Sequence, residues 1–157
     1  MNVLALDCGE YTGFATLIDD KIESGSEHLK LKGSESTGFK YMRFTELLKR
    51  LYTIGNFDLI VYEKPHGLKG HAIESMNGYI TRIHEFVAYE FMKTGKEIEY
   101  RGESPTTIKK QVTGNGRASK EDMIDWAIHS GYEPANDNEA DALALLFYTI
   151  NSLELKG

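Results

Sequence analysis

Only one cysteine, Cys8, occurs among 157 residues, so no internal disulfide can form and a reducing cytoplasm is the expected compartment. No apolar stretch approaches the ~20 residues of a membrane span, and no membrane partner is expected. The N-terminal segment MNVLALDCGE lacks the basic start and small-residue cleavage site of a secretory signal. Repeats, low-complexity segments and interdomain linkers are missing as well. The length suits one domain, residues 1–157, with a real core. A basic excess is also lacking: the net charge of −6 argues, taken alone, against a nucleic-acid partner.

The distribution of charge says otherwise. Between residues 101 and 120, five basic residues (Arg101, Lys109, Lys110, Arg117, Lys120) stand against one acid, Glu103. From residue 121 onward eight acids stand against Lys156 alone. A basic segment beside an acidic one suits a metal-dependent nuclease, which needs carboxylates for cations and cations for phosphates. A solvated basic face without a partner is the plainer alternative.

The pattern of apolar residues gives the elements. NVLALD is a nearly continuous apolar run, as in a strand buried on both faces. TGFATLID continues as a second strand and KIESGSEHLKL as a third. Tyr41, Phe44, Leu48 and Leu51 fall at helical spacing between residues 39 and 54. FDLIVYE is a further buried strand, with Leu59, Val61 and Glu63 on one face. Ile73, Met76, Ile80, Ile83, Val87 and Phe91 mark a long helix stopped at Thr94-Gly95. KEIEY is a short strand, ESPTTIKKQV opens a helix at Ser-Pro, and ASKEDMIDWAIHSG carries a Ser-x-x-Asp capping pattern. A last helix spans about 138 to 153. Three hairpin-like strands followed by strand–helix units predict an α/β domain with a mixed sheet covered by helices.

In NDNEADALALL, Asp137 and Asp141 lie one helical turn apart at the edge of a core run. Like charges at that spacing repel, and a carboxylate facing a core is costly unless neutralised. Asp7 and Glu63 each end an apolar strand, where a carboxylate has no packing value. If those strands are parallel neighbours, their ends lie ~5 Å apart, at the edge where α/β sheets collect ligands. Taken singly, Asp7-Cys8-Gly9 is also a strand-end turn, Asp137 a helix N-cap, Asp141 an arginine partner and Glu63 a surface acid. Taken jointly, the acids favour a site for Mg²⁺ or Mn²⁺, hard cations that prefer oxygen.

These segments together resemble a known family. LALDCGEYTGFA, IVYEKP, TGNGRASKEDMI and DNEADALALL are similar, in order and spacing over nearly the whole chain, to the RuvC-type Holliday-junction resolvases, especially small phage versions. The first segment alone also resembles actin-like ATPases, sugar kinases and YqgF-type nuclease-like proteins. Gly-x-Gly-x-Ala-x-Lys and Ala-Asp-Ala-Leu-Ala make the set specific. The resemblance implies an RNase H-like fold with a mixed five-stranded sheet, a homodimer, and a metal-dependent endonuclease that nicks branched DNA symmetrically. By position, Asp7, Glu63 and Asp141 match the family's metal-binding carboxylates. Asp7 would be shared between two cations, with water rather than a side chain as nucleophile. Family members place a fourth ligand, Asp or His, three residues before the last; here that position is Asn138, a departure. Either Asn138 offers its amide oxygen or Asp137 takes over, and Asp137 is expected.

Lys109 or Lys110, and Lys120, match lysines that such enzymes place along the DNA path. Gly114 and Gly116 let backbone amides approach a phosphate, while Lys109, Lys110, Arg117 and Lys120 neutralise it. The loop EKPHGLKGH matches a region that reaches the junction crossover, where some members carry an aromatic wedge. It has none here, and Lys64, His66 and Lys69 are its candidate DNA contacts. His66 and His71 are expected to make polar contacts rather than bind metal. His28, His84 and His129 carry no signal. Cys8, opposite Asp7 in the strand, reads as a small core residue, and Tyr79, Tyr89 and Trp126 as packing. The stripe from Met76 to Phe91 reads as core or dimer interface.

The expected activity is structure-selective cleavage of four-way junctions and other branched DNA, with no small-molecule cofactor, in a bacterial cell or a phage-infected host. Rivals are a YqgF-like or RNase H-like nuclease on RNA or hybrids, and a non-cleaving junction binder, which Asn138 permits. An actin-like ATPase needs two such domains, more than this length provides.

Overall fold

The computed structural model describes residues 1–154 and Lys156. The apolar run at the start forms β1 (Val3–Asp7), and all five of its residues are buried. It sits at the centre of a five-stranded sheet with β2 (Tyr11–Ile18), β3 (Lys21–His28), β4 (Leu59–Glu63) and β5 (Glu99–Glu103), in the order β3-β2-β1-β4-β5. The first three strands pair antiparallel, and β1–β4 and β4–β5 pair parallel. This is the mixed sheet expected from hairpins followed by crossover units.

Alternation along the strands divides the core in two. Leu4, Leu6, Ile60 and Tyr62 meet α1 (Gly38–Gly55) and α2 (His71–Thr94) through Phe44, Leu48, Ile80 and Ile83. Val3, Ala5, Ala15, Leu59 and Val61 meet α3 (Pro105–Thr113), α4 (Lys120–His129) and α5 (Asp137–Glu154) through Ile108, Met123 and Leu143. Ala140, Ala142 and Ala144 keep α5 close to Ala5 and Ala15, because small facing side chains shorten the helix–sheet distance. Asp7 and Glu63 continue the second face, and Cys8 packs into the first.

Several local expectations shift. β3 ends at His28 rather than Leu31, and the last strand is Glu99–Glu103 rather than residues 96–100. β5 is an edge strand, so its polar sequence EYRGE carries little hydrophobic signal. Ile98, the apolar residue of KEIEY, is buried just before it. Tyr89 is 51% exposed and is not a packing residue within the chain, and Phe91, equally exposed, is not part of the core. Tyr79 is buried, and Trp126 lies edge-on to Phe147, as expected. Gly95 closes α2 in a left-handed conformation, and Ser119 with Asp122 forms the capping box that opens α4.

Candidate metal centre

Asp7 ends β1, and the register Leu6↔Tyr62 places Glu63 beside it at the same end of the parallel pair. The third acid comes from α5, whose approach depends on Gly13. Gly13 pairs with Asp7 across the β1–β2 ladder. A Cβ at Gly13 would lie 1.9 Å from the carbonyl oxygen of Asn138. Only a residue without a side chain lets the helix start cross the sheet there.

A second device fixes that helix start. Asn136 caps α5, its Oδ1 accepting the Glu139 N–H at 3.0 Å, so Asp137 is not the cap. Glu139 is buried; it accepts from the Ala135 N–H at 2.8 Å and from the Ser24 hydroxyl at 2.7 Å. Asn136 donates to Ser26 at 2.8 Å. Glu139 thereby ties α5 to β3. At the other side of β1, the Thr12 hydroxyl donates to the Gly9 carbonyl at 2.8 Å and holds the turn after Asp7.

The result is a cluster of three carboxylates. Asp7, Glu63 and Asp141 each offer an oxygen, and these oxygens lie within 4.8 Å of one another. Among the described residues no cationic side chain pairs with any of the three. Oδ1 of Asp141 is buried without a hydrogen-bond partner. Burial, with the charges of Glu63, Asp141 and Asp137, holds the Asp7 carboxyl well above the usual range. Burial and Asp141 push Glu63 up to about 7, against an opposing pull from Lys109. Burial raises Asp141 to about 6; Lys109 and Lys120 oppose the rise and Asp137 adds to it. Three crowded, desolvated acids and one orphaned oxygen fit a hard divalent cation, which would replace the missing water and the missing charge.

The remaining candidates fall into two groups. Asp137 lies near enough to act on Asp7 and Asp141, and its Oδ2 is 3.5 Å from Lys120 Nζ. Asn138 meets the sheet through its backbone at Gly13. Lys109, half-buried on α3, acts on both Glu63 and Asp141. Lys110, Arg117 and Lys120 are exposed on α3, the following loop and α4. Lys64, His66 and Lys69 are exposed on the loop after β4, outside the cluster. Arg101 is engaged along the β5 edge, with Nε 3.2 Å from Glu103. His71 opens α2, its ring 3.4 Å from Ser75, also outside the cluster. Two residues that position the site, Gly13 and Glu139, are not among those the sequence singles out. A glycine inside a strand is the signal that could have found the first; the second had none, since its partners Ser24 and Ala135 are set by the tertiary fold.

A pH prediction follows from these carboxyls. Their pKa values are higher in the folded chain than in the unfolded one, so the folded chain binds more protons between about pH 4 and pH 7. The site's contribution to metal-free stability is present at low pH and is lost as pH rises through about 6 to 7. Scanning fluorimetry should show Mn²⁺ at ~100 times its Kd raising Tm by about 5–10 °C at pH 8. At pH 4.5 it should give no shift. Equal shifts at both pH values would remove these carboxylates from cation binding.

The sheet order β3-β2-β1-β4-β5, antiparallel through the first three strands and parallel through β1, β4 and β5, is that of the RNase H-like fold. Among solved structures the chain is similar to RuvC of Thermus thermophilus, with TM-score 0.69, 17% identity and 97% of each chain covered. It is similar also to T. thermophilus RuvC in complex with Holliday junction substrate, with TM-score 0.71 and 17% identity over 92% of this chain and 90% of that one. The yeast mitochondrial Holliday junction resolvase Ydc2 follows at TM-score 0.59 and 16% identity, over 91% of this chain and 75% of that one. No family model and no curated protein matches the sequence. At these identities the likeness is one of fold. Among the described residues no helix is long and apolar enough to cross a membrane.

Proposed function

We propose that this chain is a single-domain, RuvC-type structure-selective endonuclease that cuts four-way junctions and related branched DNA by paired nicks. The observation that carries the reading is the convergence of Asp7, Glu63 and Asp141 at the open end of the sheet, on a fold shared with a junction-bound RuvC. Asp7, Glu63 and Asp141 would hold the cations, two Mg²⁺ or Mn²⁺ per site, with Asp137 rather than Asn138 as the fourth donor. Its proximity to Asp7 and Asp141 supports that choice. When bound, the ions supply a nucleophilic water at neutral pH and stabilise the leaving oxygen.

The chain's own residues do the rest. Lys109, beside Glu63 and Asp141, offsets the charge of a phosphate brought to three acids. Lys110, Arg117 and Lys120 neutralise the DNA backbone leading to the site, with Lys64, Lys69 and His66 on the loop after β4 extending the track. Paired nicks need two active sites, and the described residues hold one carboxylate cluster, so a homodimer is the working unit. The single buried thiol of Cys8 suits a reducing cytoplasm, that of a bacterial cell or of a phage-infected one.

The test offers a labelled four-way junction, linear duplex and RNA–DNA hybrid with Mg²⁺, Mn²⁺ or EDTA. Metal-dependent paired nicks confined to branched DNA support the proposal. Preferential cutting of the hybrid would overturn it in favour of an RNase H-like enzyme, and junction binding without nicking in either metal would leave a binder. For the phosphate track, Lys120→Ala should reduce the slope of log K against log salt by about 0.9. An unchanged slope would take Lys120 off the DNA.

A further inference from the structure

Tyr11 and His28 form a stacked pair that the carboxylate chemistry does not use. Their rings lie 3.9 Å apart at 6° between planes. Tyr11 opens β2, His28 closes β3, and the two are register partners. Both stand at the sheet end that carries Asp7. They also share its face: Tyr11 is two residues from Gly13, the partner of Asp7, and side chains two apart along a strand project together. That step is ~7 Å. This row lies one step beyond Gly13, where the start of α5 meets the sheet. Tyr11 is 48% exposed. With His28 stacked on one face of the ring, the other face of Tyr11 is the one available to a ligand.

Charge decides what such a surface takes. The Glu10 carboxylate lies 3.5 Å from His28 Nε2, and no lysine or arginine pairs with either ring among the described residues. A phosphate would be repelled there. A flat π-face beside an acid instead suits the face of a nucleobase, whose stacking is tolerant of sequence. Bases in a continuous duplex are covered by their neighbours, whereas a branch point leaves faces open. Resting on the junction-nuclease reading above, we propose that Tyr11, backed by His28, is a stacking platform for an exposed nucleobase near the cut phosphate. The platform ties cleavage to branched DNA by rewarding an exposed base close to the carboxylates.

The test uses the full chain in EDTA, with a four-way junction carrying 2-aminopurine at successive positions near the branch. Wild type should quench the probe at one position. Tyr11→Ala should lose that quenching and weaken junction binding by ~5- to 150-fold. Its affinity for linear duplex and its salt slope should stay unchanged, because stacking releases no counterions. Tyr11→Trp should keep both quenching and affinity, and a melting curve establishes that each variant is folded. Wild-type quenching and affinity in folded Tyr11→Ala would overturn the proposal, as would equal weakening on junction and duplex. If the wild-type chain fails to bind the junction at all, the junction reading falls, and the platform with it. Junction binding with no quenching at any position removes the platform alone.

Discussion

Asp7→Asn should abolish junction cleavage, leave junction binding within about twofold to threefold, and make the metal-free protein more stable. The three effects share one cause. Asp7 is the most enclosed of the three acids, and burial with the charges of Glu63, Asp141 and Asp137 drives its pKa up. An amide of nearly the same shape removes a charge the folded chain holds at a cost. Without metal at pH 8, Tm should rise by several degrees, since each kcal/mol is worth ~2–4 °C at this size. The same change deletes a carboxylate of the proposed cation site, which should cost several kcal/mol of charge stabilisation at the reacting phosphate. Each 1.36 kcal/mol is tenfold, so the rate should fall by about 10³-fold or more. Affinity should survive because the proposed backbone contacts, Lys110, Arg117 and Lys120, are separate side chains exposed outside the carboxylate cluster. Single-turnover cleavage, gel-shift binding in EDTA and thermal melts check the three parts separately. Retained cleavage would remove Asp7 from the metal centre, and a lower Tm would contradict the crowding that the geometry implies.

Gly13→Ala should damage the site without touching a carboxylate. The added Cβ meets the Asn138 carbonyl oxygen at 1.9 Å and the Glu139 nitrogen at 2.9 Å, both backbone atoms at the start of α5. No rotamer change can relieve a clash between a Cβ and backbone, so the helix start must move. Overpacking of this kind costs about 1–3 kcal/mol or more, a fall of roughly 2–12 °C in Tm. The same movement carries Asp141 and Asp137 away from Asp7, and a ~1 Å misplacement in a reacting constellation costs on the order of 100-fold. A folded Gly13→Ala with wild-type cleavage would mean that the position of α5 is not what assembles the site. Gly25, also in the sheet, makes a useful contrast. A Cβ there meets the Phe14 ring, a side chain that can turn aside, and a milder loss is expected.

How much of this was legible in the sequence varies with the physical signal. The continuous run in β1, the alternation placing Glu63 with Leu59 and Val61, and the helical stripe of α2 all report burial directly. Those elements were readable. The acids at strand ends were legible for the same reason, since a carboxylate closing a buried run has no packing use. The edge strand β5 was displaced because an edge needs no apolar pattern. Phe91 fits the helical period of α2 and still stands half in solvent, because period reports which face a residue occupies and not whether a partner covers it. Glu139 and the Tyr11–His28 stack were invisible for a different reason. Their partners, Ser24 and His28, lie on β3, and only the pairing of strands and the crossing of α5 bring them together. His28 carried no signal alone. The question of Asp137 against Asn138 turned on a single position, which sequence could only narrow to two neighbours.

The proposed metal centre requires Asp7, Glu63 and Asp141 to hold a divalent cation together. Isothermal titration of Mn²⁺ into the protein at pH 8 tests it most directly. Wild type should bind, with affinity falling steeply toward pH 5 as Glu63 and Asp141 take up protons, and Asp7→Asn should lose most of the binding. Mn²⁺ binding that is the same in wild type and Asp7→Asn, or that is unchanged at pH 5, would contradict it.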